Sequence, residues 1–114
     1  SMAIARSQEN LMQITLREVT QRIVEAVRPQ KIVLFGSAAR GDMNSESDLD
    51  LLVIMRGSVH RRQTAQKIIR NLHGVNIPVD VVVVTEEDIQ KSSQSDFSII
   101  RPAFEDGRVI YDTK

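Results

Sequence analysis

Leu11, Leu16, Val19, Ile23, Ala26 and Val27 recur at spacings that form one apolar stripe on a helix, with Arg17, Glu18, Gln21, Arg22 and Glu25 between them. Pro29 marks the end of that segment. Lys31–Phe35 is a short apolar run of β type, followed at once by Gly36-Ser37. The stretch from Ala38 to Ser47 is small and polar, with Gly41 and Asn44 as turn residues, and Leu49–Ile54 reads as a second strand. After a break at Gly57-Ser58, Arg62–Leu72 predicts a helix with Ala65, Ile68, Ile69 and Leu72 on one side, leaving through Gly74 and Asn76. Val79–Val84 is the most strongly β segment of the chain. Thr85 before Glu86, Glu87 and Asp88 is a helix start, a cap followed by acids in the first turn. A helical segment with Ile99, Ile100, Ala103 and Phe104 runs to Gly107, and Arg108–Tyr111 closes as a short strand. This order predicts an α/β (α+β) fold, a small mixed sheet with helices packed against it.

Composition narrows the setting. With 114 residues, 41% hydrophobic and 26% charged, the chain predicts one domain over residues 2–114; Ser1 ahead of Met2 reads as a residue left by tag removal. Fifteen basic residues balance fifteen acidic ones, so no global field draws nucleic acid or an anionic membrane. The absence of cysteine excludes disulfides, thiolate catalysis and Cys-based zinc sites. No apolar run approaches a membrane span, and the N-terminal stretch has no apolar h-region, so the expected setting is cytoplasmic.

The chemistry concentrates between Leu34 and Leu52. Asp48 and Asp50 stand two apart at the start of a strand, so their side chains share a face, about 7 Å apart along it. Asp80 opens another strand, between Val79 and Val81. If those strands are close, three carboxylates converge. Two like charges about 4 Å apart repel by roughly 4 kcal/mol at an effective dielectric near 20. A divalent cation reverses that sign, and all-oxygen ligands select Mg²⁺ or Mn²⁺ over zinc. Beside the acids, Gly36 lets a phosphate approach the backbone, the N–H groups of a helical turn bind anions, and Ser37 adds a hydroxyl. Gly41 turns the chain back toward the acids, Ser47 hydrogen-bonds to orient the acid pair, and Arg40 either reaches a triphosphate or pairs with Asp42 or Glu46. Two other motifs fail. Gly36–Gly41 has Walker-A spacing, but Asp42-Met43 replaces Lys-[Ser/Thr]; Asp42, Asn44 and Glu46 imitate an EF-hand start, but Ser47 stands where the turn glycine belongs and Val53 where Glu does.

Gly36-Ser37, then Arg40-Gly41-Asp42, then Ser47-Asp48-Leu49-Asp50, then Asp80 in a Val-rich strand resembles the DNA polymerase β-type nucleotidyltransferases. The closest resemblance within that superfamily is to the minimal nucleotidyltransferases (MNT), and it runs from the first helix to Tyr111. The resemblance implies a polymerase β-like fold. It implies ATP as substrate, its phosphates held by Gly36 and Ser37, with two Mg²⁺ ions on Asp48 and Asp50 and one of them completed by Asp80. An acceptor hydroxyl would attack the α-phosphate and pyrophosphate would leave. It further implies a helical HEPN-type partner and an antitoxin role, in some pairs through AMP placed on a tyrosine. Many relatives have Arg where this chain has Ala38, which predicts weaker triphosphate binding. Larger relatives add a domain for the acceptor, so the acceptor is expected on a partner. The competing readings are a non-catalytic antitoxin acting by complex formation and a small-molecule adenylyltransferase.

Other residues read as structural. His60 and His73 have no partner at metal-ligand spacing and are expected at the surface. Arg61, Arg62, Lys67 and Arg70 form a basic helix face, read first as solvated and second as a contact for RNA or an acidic partner. Three Phe and one Tyr are too few to indicate a nucleic-acid stacking platform. The stripe of the first helix is core, with a partner or homo-oligomer interface as its other use.

Overall fold

A computed structural model describes residues 2–40, 48–92 and 106–113. The elements are α1 (Met2–Val27), β1 (Lys31–Phe35), α2 (Gly36–Ala39), β2 (Leu49–Met55), α3 (Arg61–Asn71), β3 (Val79–Thr85), α4 (Glu86–Ser92) and β4 (Arg108–Asp112). The expected segment around Ile99–Phe104 and the residues Gly41–Ser47 lie outside the described residues. The sheet runs β3-β2-β1-β4. β2 is parallel to β3, joined to it through α3, and antiparallel to β1, which in turn is antiparallel to β4. The sheet is therefore mixed, as the pattern predicts.

Side-chain alternation along β2 assigns the two faces. Leu49, Leu51, Val53 and Met55 join Ile32 and Leu34 under α1 and α3, where Leu16, Val19, Ile23, Ile68 and Leu72 complete a buried cluster. Leu52 and Ile54 point the other way, with Val33 and Val84, and Phe35, Val82 and Ile89 pack against them. Asp50 shares the parity of Leu52 and Ile54, and Asp80 that of Val82 and Val84. Both acids therefore belong to the face away from α1.

Two members of the predicted apolar stripes are exposed. Leu11 is 64% and Ile69 56% accessible. Leu11 stands five positions before Leu16, about 140° off its direction, and Met12, four before, packs on the core in its place. Ile69 follows Ile68 by one residue, a rotation of about 100° that turns it outward. α1 stops before buried Pro29, with Arg28 in the left-handed region (φ 48°) and its N–H donating to Val24 O at 2.9 Å.

Side chains pin the helix ends. Arg22 Nη1 donates to the carbonyls of Asn71 (3.3 Å) and His73 (2.7 Å), bringing a cation to the C-terminus of α3. Thr85 and Asp88 cap α4 reciprocally: the Asp88 N–H donates to Thr85 Oγ1 at 3.1 Å, and the Thr85 N–H to Asp88 Oδ2 at 2.9 Å. Asp88 Oδ2 also accepts from Arg61 Nη1 at 3.1 Å, tying the start of α3 to the start of α4. His60 is exposed, as expected, but it also caps α3, its Nδ1 accepting from the Gln63 N–H at 3.1 Å. Aspartate is a better cap and places negative charge at a helix start beside Arg61 and Arg62. His60→Asp is expected to stabilise the fold by about 0.5–1 kcal/mol in urea unfolding; an unchanged midpoint would show that imidazole already caps as well.

Candidate active site

The end of β1 and the starts of β2 and β3 meet at one end of the sheet. Phe35 pairs with Asp50, and Asp50 with Asp80, so the three residues form one row across three neighbouring strands. The strand starts are held by the Leu49 N–H donating to Pro78 O at 2.9 Å. The condition left open by the sequence, that the strand of Asp80 lies near that of Asp50, holds in register, and β3 is also the sheet edge. Asp48 immediately precedes β2 rather than lying in it, and both Asp48 and Asp80 are exposed while Asp50 is half-buried.

The row is electrostatically unfavourable. Like charges on neighbouring strands repel, less where water screens them. The Asp50 carboxyl is accordingly pushed above its ordinary value of 3.8, first by burial, then by the negative charges of Asp80 and Asp48. Among the described residues no three acidic or histidine side chains stand close enough together to hold an ion in this arrangement. The donors are of the type a hard divalent cation takes: carboxylates only, Asp50 and Asp80 on adjacent strands and Asp48 just ahead of β2, with Asp50 desolvated and repelled by the other two.

Gly36 completes the site. Its φ is +73°, where glycine is favoured, and a Cβ built on it would collide with Asp50 Oδ2 and lie 3.3 Å from Asp50 Cγ. The backbone of the β1–α2 turn thus lies directly on the Asp50 carboxylate. The sequence indicates a close backbone approach at Gly36 but assigns it to a phosphate; the second neighbour, Asp50, follows only from the β1–β2 register. Phe35, at the N-cap of α2, has no polar atom with which to cap that turn, and its ring belongs to the apolar cluster of the acid face. Its parity with Val33 is the sequence signal that would have placed it there. Arg40 follows as the C-cap, with its N–H donating to Gly36 O at 3.3 Å. Ala38 packs on the main core, which accounts for a small apolar residue at that position. Gly41 and Ser47 lie outside the described residues. A concavity of about 580 Å³ between α1 and β4, lined by Leu16, Thr20, Val24, Ile110 and Tyr111, contains none of the three acids.

The chain is similar to known proteins in sequence and in fold. Residues 15–109 match the family described as the nucleotidyltransferase domain. A Methanocaldococcus jannaschii protein provisionally named a protein adenylyltransferase is 36% identical over 84 residues, 74% of this chain and 80% of that one. A crystal structure from Sulfolobus solfataricus, provisionally named a nucleotidyltransferase, superposes with a TM-score of 0.66 at 20% identity, covering 96% of this chain and 87% of the other. A tri-AMPylated Shewanella oneidensis HEPN toxin in complex with its MNT antitoxin matches with a TM-score of 0.55 at 20% identity, over 89% of this chain and 72% of that one. At these identities the two structures establish the fold.

Proposed function

The chain belongs to the nucleotidyltransferase domain family, and from that membership we propose that it moves AMP from ATP onto a hydroxyl of a HEPN-type partner protein and acts as its antitoxin. The observation that carries the reading is the row itself: Asp50 opposite Asp80, with the Gly36 backbone on the Asp50 carboxylate.

Asp48 and Asp50 would hold two Mg²⁺ (or Mn²⁺) ions, with Asp80 completing the one nearer the acceptor. Held by these residues, such ions would neutralise the carboxylates and would supply activation of an attacking hydroxyl and stabilisation of a leaving oxygen. The chain's own residues do the rest. The Gly36-Ser37 backbone receives the phosphates, and Arg40 approaches them from the end of α2. The acceptor oxygen forms a bond to the α-phosphorus, the bond from that phosphorus to the bridging oxygen breaks, and pyrophosphate departs. The hydroxyl proton leaves toward solvent, to which Asp48 and Asp80 are exposed.

ATP labelled at the α-phosphate, incubated with Mg²⁺, this protein and the product of its neighbouring gene, is expected to label that partner. The label should vanish with Asp48→Ala/Asp50→Ala. A tight complex that never takes up label would overturn the catalytic reading and leave neutralisation by occupancy.

A further inference from the structure

We infer that the free edge of β3 is where the acceptor docks: an extended segment of the partner adds to the sheet beside Asp80 and sets its hydroxyl-bearing side chain in the row of acids; this rests on the reading above. β3 is an edge of the sheet, paired with β2 and, among the described residues, with no strand on its other side. The Pro78 carbonyl accepts from the Leu49 N–H and so faces β2. Backbone groups alternate sides along a strand. Asp80 and Val82 therefore bond toward β2, while the N–H and C=O of Val79 and Val81, on either side of Asp80, point outward. A ladder of outward donors and acceptors at this spacing is matched by another extended polypeptide.

The two edges of the sheet differ. β4 has features that discourage strand addition: a shift of register opposite Ile32 and Val33, and charged Arg108 and Asp112 at its ends. β3 pairs without a shift and, apart from Asp80, is valine up to Thr85, with no proline or lysine inside it. Burial also changes along β3. Val83 and Val84 are buried, whereas Val79, Val81 and Val82 are half-buried and Asp80 is exposed, so the open part is the part beside the acids. Residues opposite one another in a sheet share a face. Phe35, Asp50 and Asp80 already form such a row, and the residue opposite Asp80 on an added strand becomes its fourth member. Asp80 bonds away from that strand, which makes the pair non-hydrogen-bonded, with Cα atoms about 4.5 Å apart if the strand is antiparallel. The hydroxyl then stands beside Asp80, the acid assigned to the metal nearer the acceptor. A second copy's β3, paired along residues 79–82, would bring another Asp80 within two positions of the first and add charge to a row already in repulsion. The occupant is therefore a partner segment with a hydroxyl, not an acid, at that place.

The test is amide hydrogen exchange read residue by residue by NMR, with Mg²⁺ and an ATP analogue whose α–β bridge cannot be cleaved, with and without the product of the neighbouring gene; label transfer from ATP is followed in parallel. The Val79 and Val81 amides should exchange fast in the free protein and at least about tenfold more slowly in the complex, while those of Asp80 and Val82 are protected in both. Val81→Pro removes an outward donor and leaves the bonds to β2 whole. It should fold by circular dichroism, keep the thermal stabilisation given by Mg²⁺ and ATP, and lose about tenfold or more in label transfer through a raised KM for the partner. The exchange experiment uses the unaltered chain and so decides even if that variant unfolds. Unchanged exchange at Val79 and Val81 in a partner complex that takes up label, or full transfer by Val81→Pro, overturns the docking edge and leaves transfer intact. Protection of these amides with no label moved overturns the transfer reading alone. A partner that neither takes label nor alters them overturns both, and protection that grows with protein concentration in the absence of partner reassigns the edge to a second copy.

Discussion

Asp50→Asn is expected to leave a folded protein with nucleotide transfer reduced at least about a thousandfold, because the amide can neither neutralise a cation nor share one with Asp48 and Asp80. The same substitution should raise stability in metal-free buffer. Burial and two neighbouring negative charges hold the Asp50 carboxyl above its ordinary 3.8, so the folded state binds this proton more tightly than the unfolded state. The sign follows: below 3.8 the group is protonated in both states and costs nothing, and as pH rises through the raised folded value the wild type loses stability. The gap between Asp50→Asn and wild type should therefore be small at low pH and reach its full size near neutrality. Mg²⁺ should narrow it by stabilising the wild type alone. Thermal unfolding across pH, with and without Mg²⁺, checks all three statements. A wild type more stable than Asp50→Asn in metal-free buffer at pH 7 would contradict the electrostatic account of the site.

Gly36→Ala should damage both fold and activity. An L-residue at φ +73° costs roughly 1–3 kcal/mol of backbone strain. The new methyl also falls on the Asp50 carboxylate, so either the turn or the carboxylate must move. A displacement of about 1 Å at a reacting centre costs on the order of a hundredfold in rate. Gly57 is the control: its φ is +68° with nothing within 4 Å of a built Cβ, so Gly57→Ala should show the backbone cost and keep transfer. The cost of Gly36→Ala in urea unfolding should shrink in an Asp50→Ala background, where the carboxylate is gone. Additive effects in that double-mutant cycle would refute the contact.

The first strand was legible because it is a short apolar run stopped by a turn residue; Lys31–Phe35 is read from the sequence with the bounds the structure shows. The acids at 48, 50 and 80 were legible as types and spacings. Their juxtaposition was not, since it depends on the pairing of β2 with β3, which periodicity within either strand does not encode. Leu11 and Ile69 were misplaced for a related reason: a spacing rule counts apolar residues and does not reveal which way the stripe turns until neighbours pack on it. The cap at His60 had no ordinary signal, because histidine is not among the residues that usually begin helices.

The order of the sheet also has a consequence in time. The strands that bear the row, β1, β2 and β3, are drawn from residues 31–85, and each pairs with the next along the chain. β4 is different: it joins Lys31 to Asp112, across most of the sequence, and adds nothing to the row. Closing so long a loop is an entropic toll that local pairs do not bear. On a ribosome, the strands that carry the acids are all synthesised before the last one, so the end of the sheet proposed to do the chemistry is also the part the chain can assemble first.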